Sequence, residues 1–142
     1  MAMAQGVSGS NNLIRCIVVS PEATVLETDA QFVALPLADG EIGIGPRHSP
    51  LIGRLGYGEM RIVEAGQTRS FYVDGGFVQV IDNVVSVRTG SAVPTDELDA
   101  DLAAERLAEA RKKPASGDEM IAIRERQVAQ ARAQLRLIRR PK

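Results

Sequence analysis

One thiol and one imidazole are the strongest nucleophile and base that this sequence offers. Cys16 is the only cysteine and His48 the only histidine, so a Cys-His pair is the single nucleophilic dyad that these residue types allow. Cys16 lies in the apolar run Arg-Cys-Ile-Val, where a buried and unreactive thiol is far commoner. We therefore expect the chain to be non-catalytic.

Metal and phosphate sites have equally little support. One His and one Cys with scattered carboxylates lack the clustered spacing of zinc ligands, so we predict no metal and no cofactor. Residues 40–46 contain three glycines, but they match neither GxGxxG nor the P-loop pattern, and no helical pattern follows them. Taken alone, they predict a glycine-rich turn, and His48 beside them is an ordinary surface residue.

Composition and charge narrow the class of protein. The 142 residues are 44% hydrophobic and 25% charged, which is typical of a folded globular protein. The formal net charge of -1 argues against a nucleic-acid binder, which is usually strongly basic. No apolar run approaches the roughly 18 residues of a transmembrane helix, so membrane association is expected only through a partner. A single cysteine excludes an intramolecular disulfide and fits a reducing compartment.

Residue types change sharply near Gly90. Twelve of the 13 glycines and all five aromatic residues lie at or before it, whereas the remaining residues contain 11 alanines. The first composition favours strands and turns, and the second favours helices. We predict an α+β protein with a disordered tail over residues 1–12, a β-sandwich over residues 13–92 and a helical hairpin over residues 93–142.

Seven or more short apolar runs separated by turn residues predict an antiparallel sandwich for the first unit. Two hairpin turns are expected, one at Ala65-Gly66-Gln67 and one at Asp82-Asn83, where the residue types tolerate positive φ. Alternation predicts that Met60 and Ile62 share one face. The runs FVALPL and FVQVI are apolar enough to lie deep between two sheets.

Two helices are predicted after Pro94. Thr95 is the expected N-cap of a first helix that ends near Lys113, and Ser116 begins a capping box for a second helix that reaches about Arg140. Their short connection favours an antiparallel hairpin. The second helix carries one apolar stripe, formed by Ile121, Val128, Ala131, Leu135 and Ile138. The first helix has a poorer stripe, so we hypothesise that the hairpin can open.

Charge separates the two predicted helices. Residues 91–119 hold eight acids and four bases, whereas residues 120–142 hold seven bases and one acid. The basic side chains allow two roles: contact with an acidic partner, or a solvated face that pairs with the first helix. The candidate arginines are Arg124, Arg126, Arg132, Arg136, Arg139 and Arg140.

The run GEIGIGPRHSPLIGRLGYGEMRIV resembles the epsilon subunit of F-type ATP synthases of the bacterial type. The resemblance continues in order through FYVDGGFVQVIDNVVSVRT, TDELDADLAAERLAEA and ARAQLRLIRR, from about Leu13 to Arg140. It implies a β-sandwich followed by a helical hairpin, in a non-catalytic subunit of the rotor stalk of a proton-translocating ATP synthase. It also implies a peripheral location on the cytoplasmic side of the bacterial inner membrane.

The resemblance further implies three sets of partners. The sandwich would bind the gamma subunit and the c-subunit ring, and the helices would reach the catalytic alpha and beta subunits and inhibit ATP hydrolysis. Glu41, Gly43 and His48 match family positions in the loop that faces the ring, with Ile44 and Pro46 as scaffold. Arg47 is a departure, because the family usually has glycine there, and it places the turn conformation in question.

A second motif of the family is degenerate in this chain. Some bacterial members bind ATP through a Leu-Asp-x-x-Arg-Ala type motif, and the matching positions are Leu98, Asp99, Leu102 and Ala103. Leu102 stands where the arginine would pair with phosphate, and Asp101 beside it would repel that anion. We predict weak or absent ATP binding.

Two other classes share many of these features. A free-standing adaptor could consist of the same sandwich with a helical arm for a protein partner. A nucleic-acid binder could use the arginine helix, although the helix carries no aromatic residues for stacking and the chain is net acidic.

Overall fold

The computed structural model describes residues 12–139, which divide into two compact units between Ala92 and Val93. The predicted tail, apart from Asn12, lies outside the described residues, and so does Arg140. The strands are β1 (Ile14–Val19), β2 (Thr24–Ala30), β3 (Phe32–Leu37), β4 (Gly40–Ile44), β5 (Leu51–Glu64), β6 (Gln67–Ile81), β7 (Val84–Arg88) and β8 (Ala92–Pro94). A one-turn 3-10 helix (Thr95–Glu97), α1 (Ala100–Lys112) and α2 (Asp118–Arg139) follow.

Seven strands of the first unit follow the order β2-β1-β7-β6-β5-β3-β4. The predicted α+β class, a β-unit followed by two helices, is confirmed. Every neighbouring pair along this order is antiparallel except β1 and β7, which run parallel. A wholly antiparallel arrangement was therefore wrong for that one pair. Hairpin turns cannot specify it, because the two strands lie at opposite ends of the unit's sequence.

Both predicted hairpin turns are confirmed. Ala65 and Gly66 connect β5 to β6 with φ of 52° and 77°. Asp82 and Asn83 connect β6 to β7 with φ of 51° and 63°. Two successive residues with positive φ match the right-handed twist of the flanking strands.

The run FVQVI, expected as a short strand of its own, is instead the end of a longer strand over residues 67–81. These residues form one strand, β6, which continues through Gly75 and Gly76 with φ of 70° and 110°. At Gly76 a Cβ atom would lie 1.9 Å from the carbonyl oxygen of Arg88. The glycine pair therefore lets the backbone bend and approach the end of β7 closely, instead of ending the strand.

The core lies within the β-unit. Met60 and Ile62 are fully buried, which confirms the predicted alternation along β5. FVALPL contributes three buried residues, but FVQVI is buried only at Val78 and Val80. Its remaining apolar residues, Phe77 and Ile81, are 55% and 46% exposed. One face of this strand segment therefore packs on the core, and the other face is exposed to solvent.

A hydrogen-bonded carboxylate joins strands that are not neighbours in the sheet order. Thr28 of β2 donates its hydroxyl to Glu64 of β5 at 2.5 Å, and Arg69 of β6 donates to the same carboxylate at 2.8 Å. Both donors stabilise the ionised carboxylate, so they hold the pKa of Glu64 below its usual value. These hydrogen bonds connect β2 with β5, two strands that are separated by three others in the strand order.

The first helix begins later than predicted. Thr95 starts the 3-10 helix instead of capping α1, and this short helix ends where Leu98 adopts an extended conformation. Asp99 is the N-cap of α1, because its side chain accepts a hydrogen bond from the Leu102 N–H at 3.1 Å. The cap was misplaced because both Thr and Asp are favourable there, and composition does not choose between them.

Small side chains account for most of the buried positions of α1 and α2. The buried residues are Ala103, Ala110, Ala131, Ala133 and Leu135. The predicted stripe on α2 is thus confirmed at Ala131 and Leu135, but Ile121 is 36% exposed and does not belong to the buried interface. Alanine removes little apolar surface from water, so the helices are held together by a modest area.

Candidate functional site

The three residues predicted to contact the ring lie on an edge strand and on the loop that follows it. Glu41 and Gly43 belong to β4, at one end of the strand order, and Gly43 pairs with Ala34 of β3. His48 lies in residues 45–50, which connect β4 to β5 and which we call the docking loop. All three positions border solvent, Glu41 and Gly43 being exposed and His48 half-buried.

A chain of charged hydrogen bonds fixes Glu41. Arg61 of β5 donates through both terminal nitrogens to the Glu41 carboxylate, at 3.1 and 3.3 Å. Arg61 also donates to Glu59 at 3.1 Å, and Glu59 accepts the Ser70 hydroxyl at 2.6 Å. The two carboxylates raise the pKa of Arg61. Glu41 is thus presented as one half of an ion pair with a defined direction.

Gly43 shapes the surface instead of offering a binding group. A Cβ atom at this position would lie 2.6 Å from Cζ of Phe32, whose ring rests on the glycine backbone. Phe32 is 40% exposed, so the ring covers the edge strand and still reaches solvent. Gly43 therefore provides a seat for the Phe32 ring and offers no side chain of its own to a partner.

The imidazole of His48 is oriented by its own loop. Nδ1 lies 2.7 Å from the carbonyl oxygen of Ser49. A carbonyl oxygen can only accept, so this hydrogen bond requires the proton on Nδ1. Nε2 of the neutral ring is then an acceptor for a donor on a partner.

Arg47 adopts a left-handed backbone conformation although it carries a long side chain. Its φ is 62°, in the left-handed region that L-residues other than Asn and Asp seldom occupy. The Arg47 N–H donates to the side-chain oxygen of Asn83 at 2.7 Å, which ties the docking loop to the turn between β6 and β7. Arg47, the departure from glycine noted in the sequence, therefore occupies a left-handed conformation that glycine adopts readily.

A second exposed surface lies on strands β5 and β6. Ile52, Phe77 and Ile81 are 77%, 55% and 46% exposed, and we call them the outer patch. The register pairs Ile52 with Gln79 and Arg54 with Phe77, so these side chains share one face. The Arg54 guanidinium lies 5.9 Å from the centre of the Phe77 ring. An apolar surface of this kind is a common feature of protein interfaces.

The predicted arginine cluster separates into different environments. Arg132, Arg136 and Arg139 join Arg111 in lining an open groove of about 860 Å³, whose apolar side is formed by Leu107, Leu135 and Leu137. Arg126 is exposed. Arg124 instead donates to the Arg111 carbonyl at 3.3 Å, where it satisfies an acceptor in the last turn of α1.

The four positions of the degenerate nucleotide motif lie at the end of the 3-10 helix and at the start of α1. Asp99 caps the helix, Ala103 is buried, and Leu98 ends the 3-10 helix. Leu102 is 41% exposed, so no guanidinium occupies the position where the motif requires one. The residues that match the motif therefore have a structural role in this helix, and the arginine that would bind phosphate is missing.

The thiol is not an available nucleophile. Cys16 is buried in β1, and burial raises the pKa of its thiol to about 12. A thiol with such a pKa is almost entirely protonated at neutral pH. Within residues 12–139, no cluster of three or more His, Cys, Asp or Glu side chains could hold a metal ion.

None of the helices between residues 12 and 139 combines the length and the apolar character needed to cross a membrane.

Sequence comparison identifies one family model, described as the beta-sandwich domain of the ATP synthase delta/epsilon chain, which matches residues 13–95. The ATP synthase epsilon chain of Rhodopirellula baltica is 50% identical over 126 residues, covering 89% of this chain and 98% of that protein. The epsilon chain of Desulfitobacterium hafniense is 41% identical over 84% of this chain and 90% of that protein. That of Polaromonas naphthalenivorans is 40% identical over 91% and 96%.

Solved structures share the fold. A chain of the mitochondrial ATP synthase OSCP/F1/c-ring assembly of Euglena gracilis superposes with a TM-score of 0.78 at 23% identity, over 90% of this chain and 82% of that one. A chain of the central stalk/c-ring of the Tetrahymena thermophila mitochondrial enzyme gives a TM-score of 0.72 at 14% identity, over 87% and 95%.

Proposed function

The chain belongs to the epsilon-chain family of F-type ATP synthases, and from this we propose that it joins the gamma subunit to the c-subunit ring in the rotor. Membership confirms the resemblance in the sequence and makes the chain a non-catalytic subunit of the enzyme complex. The observation that carries the proposal is the 50% identity to an epsilon chain along almost its whole length. The central stalk/c-ring assembly in which a structural neighbour lies gives additional support.

The ring contact is assigned to Glu41 and His48. Both are accessible, and each is oriented by a hydrogen bond to a fixed group, Arg61 for the carboxylate and the Ser49 carbonyl for the imidazole. Oriented polar groups on a docking surface fix the register of two partners more than they add affinity. Glu41 and His48 would therefore align the sandwich on the polar loops of the ring.

The gamma contact is assigned to the outer patch. Ile52 is 77% exposed, and solvation of a large aliphatic side chain on a sheet face is unfavourable unless a partner covers it. Arg54 and Phe77 beside it provide the cation and the ring that are enriched in interface cores. A stable contact with the gamma subunit would bury this surface.

The helical unit is assigned to regulation. Arg132, Arg136 and Arg139 line an open groove with apolar walls, which suits an acidic segment of the alpha or beta subunits. Bound there, the hairpin would oppose ATP hydrolysis. The complex would lie peripherally on the cytoplasmic side of the bacterial inner membrane, as expected for a relative of bacterial epsilon chains.

Co-purification tests the assembly proposal. The tagged full-length chain, produced with the gamma and c subunits of the same genome, is expected to recover both. The double substitution Glu41→Ala and His48→Ala should lower recovery of the ring about ten-fold, because two oriented polar contacts are lost, and leave recovery of gamma unchanged.

A matched control measures the effect of removing one exposed negative charge elsewhere on the sandwich. Glu22→Ala, at an exposed residue of the β1–β2 connection, should leave both recoveries unchanged. If the wild-type chain recovers neither subunit, the free-standing adaptor becomes the better interpretation.

Calorimetry tests the nucleotide motif. We expect no ATP binding by the isolated chain at micromolar concentrations, because Leu102 supplies no donor for phosphate and Asp99 is used as a helix cap. Leu102→Arg restores the missing guanidinium at an exposed position and should increase any affinity. Micromolar binding by the wild-type chain would contradict the prediction.

A further inference from the structure

We propose that Asn83 is a positioning residue for ring docking, because its side chain latches the docking loop that presents His48. The inference rests on the proposed function, in which that loop meets the c-subunit ring. Asn83 does not itself contact the ring in this proposal; it acts through the backbone of Arg47. Sequence patterns had indicated only a turn former at this position.

One side-chain amide joins two separate segments of the sandwich. The Asn83 side-chain oxygen accepts the Arg47 N–H at 2.7 Å, and its nitrogen donates to the Leu13 carbonyl at 2.9 Å. The backbone carbonyl of Asn83 accepts the Arg15 N–H at 3.1 Å. Leu13 and Arg15 flank the start of β1, so the latch is anchored to a core strand and the loop is held against it.

This bond ties the docking loop to the rest of the sandwich. It has six residues between β4 and β5, and two of them, Pro46 and Pro50, carry no backbone N–H. The imidazole of His48 bonds to the carbonyl of the neighbouring Ser49, so that bond moves with the loop. The Arg47 N–H, one residue before His48, ties the loop to a distant part of the sandwich.

An asparagine satisfies three requirements at once. It tolerates the φ of 63° that the turn demands, it offers an acceptor to Arg47, and it offers a donor to Leu13. Aspartate keeps the first two properties and loses the donor. Glycine keeps only the backbone freedom, so the two substitutions separate the latch from the turn.

Ring affinity and loop exchange test the proposal in the full-length chain. Asn83→Gly is expected to weaken binding to detergent-solubilised c-rings about three-fold, while gamma affinity and thermal stability stay close to those of the control Asp82→Gly. The amides of Arg47 and His48 should exchange faster in Asn83→Gly than in the control. Asn83→Asp, which still accepts the Arg47 N–H, should recover most of the ring affinity.

Three results would overturn the inference. Unchanged ring affinity in Asn83→Gly, with faster exchange at Arg47, would mean that the latch serves the fold alone. Unchanged exchange at Arg47 would mean that no latch exists. If Asn83→Gly fails to fold, Asn83→Asp carries the test, and a ring affinity reduced as much as its gamma affinity would show a general loss of stability. Failure of the wild-type chain to bind c-rings would instead refute the proposed function.

Discussion

Replacement of Gly76 by alanine is expected to unfold the sandwich under conditions in which the wild-type chain is stable. The added Cβ would lie 1.9 Å from the Arg88 carbonyl oxygen and 2.9 Å from Cα of Thr89, so it meets backbone and no flexible side chain. The φ of 110° is also unfavourable for alanine. Together these effects should cost more than about 4 kcal/mol, a large part of the stability of a small domain.

The neighbouring backbone cannot move away easily. Arg88 pairs with Phe77 across β6 and β7, and the Thr89 N–H donates to the Val19 carbonyl at 3.0 Å. The Thr89 hydroxyl accepts the Asp74 N–H at 3.0 Å in a buried position. Relief of the clash would break several of these hydrogen bonds, and each buried group left without a partner adds its own desolvation cost.

Gly66→Ala is the matched control, measured with Gly76→Ala by urea unfolding. Gly66 also has a positive φ, 77°, but a Cβ there would meet nothing within 4 Å. Its substitution should cost only about 1 kcal/mol, for the left-handed conformation alone. Equal losses of stability in the two variants would show that the close approach at Gly76 contributes nothing.

The turns and the fold class could be predicted because they depend on neighbouring residues. The strand pairing and the exposure of single side chains could not, because they depend on residues far apart in the sequence. Asp and Asn tolerate positive φ, so the residue types at positions 82 and 83 predicted the turn that the structure shows. The parallel pairing of β1 with β7 has no local signature, because nearly the whole β-unit separates these strands. An apolar run such as FVQVI fits a strand buried on either one or two faces, so the exposure of Phe77 could not be inferred.

The residues of the candidate site also fall into two groups, those that the sequence identified and those that it missed. Glu41 and His48 were identified through a family resemblance that depends on neighbouring residues in the sequence. Arg61 and Asn83, which orient them, were missed, because their partners Glu41 and Arg47 lie 20 and 36 positions away. Alternation along β5 could place Arg61 on the outer face, but it could not identify the carboxylate that the guanidinium would meet.

Removal of all residues after Pro94 is expected to leave assembly intact and to raise ATP hydrolysis about five-fold or more in membrane vesicles, within the usual range of regulatory coupling. The sandwich has its own core between Ile14 and Ala92, so it does not need the helices to bury its apolar residues. Proton-coupled ATP synthesis should persist, because the docking loop and the outer patch are retained. Loss of the gamma subunit and the ring from the truncated complex would show that the helices are structural.

A full-length variant separates the arginine groove from the rest of the arm. Replacement of Arg132, Arg136 and Arg139 by glutamine removes three charges from the groove and retains the buried contacts of α2. Arg124 stays in place, because its bond to the Arg111 carbonyl supports the end of α1. If electrostatic contact with the catalytic subunits inhibits the enzyme, the triple variant should raise hydrolysis as the truncation does. Hydrolysis at the wild-type level, with the truncated enzyme still activated, would assign inhibition to the bulk of the helices instead of their charge.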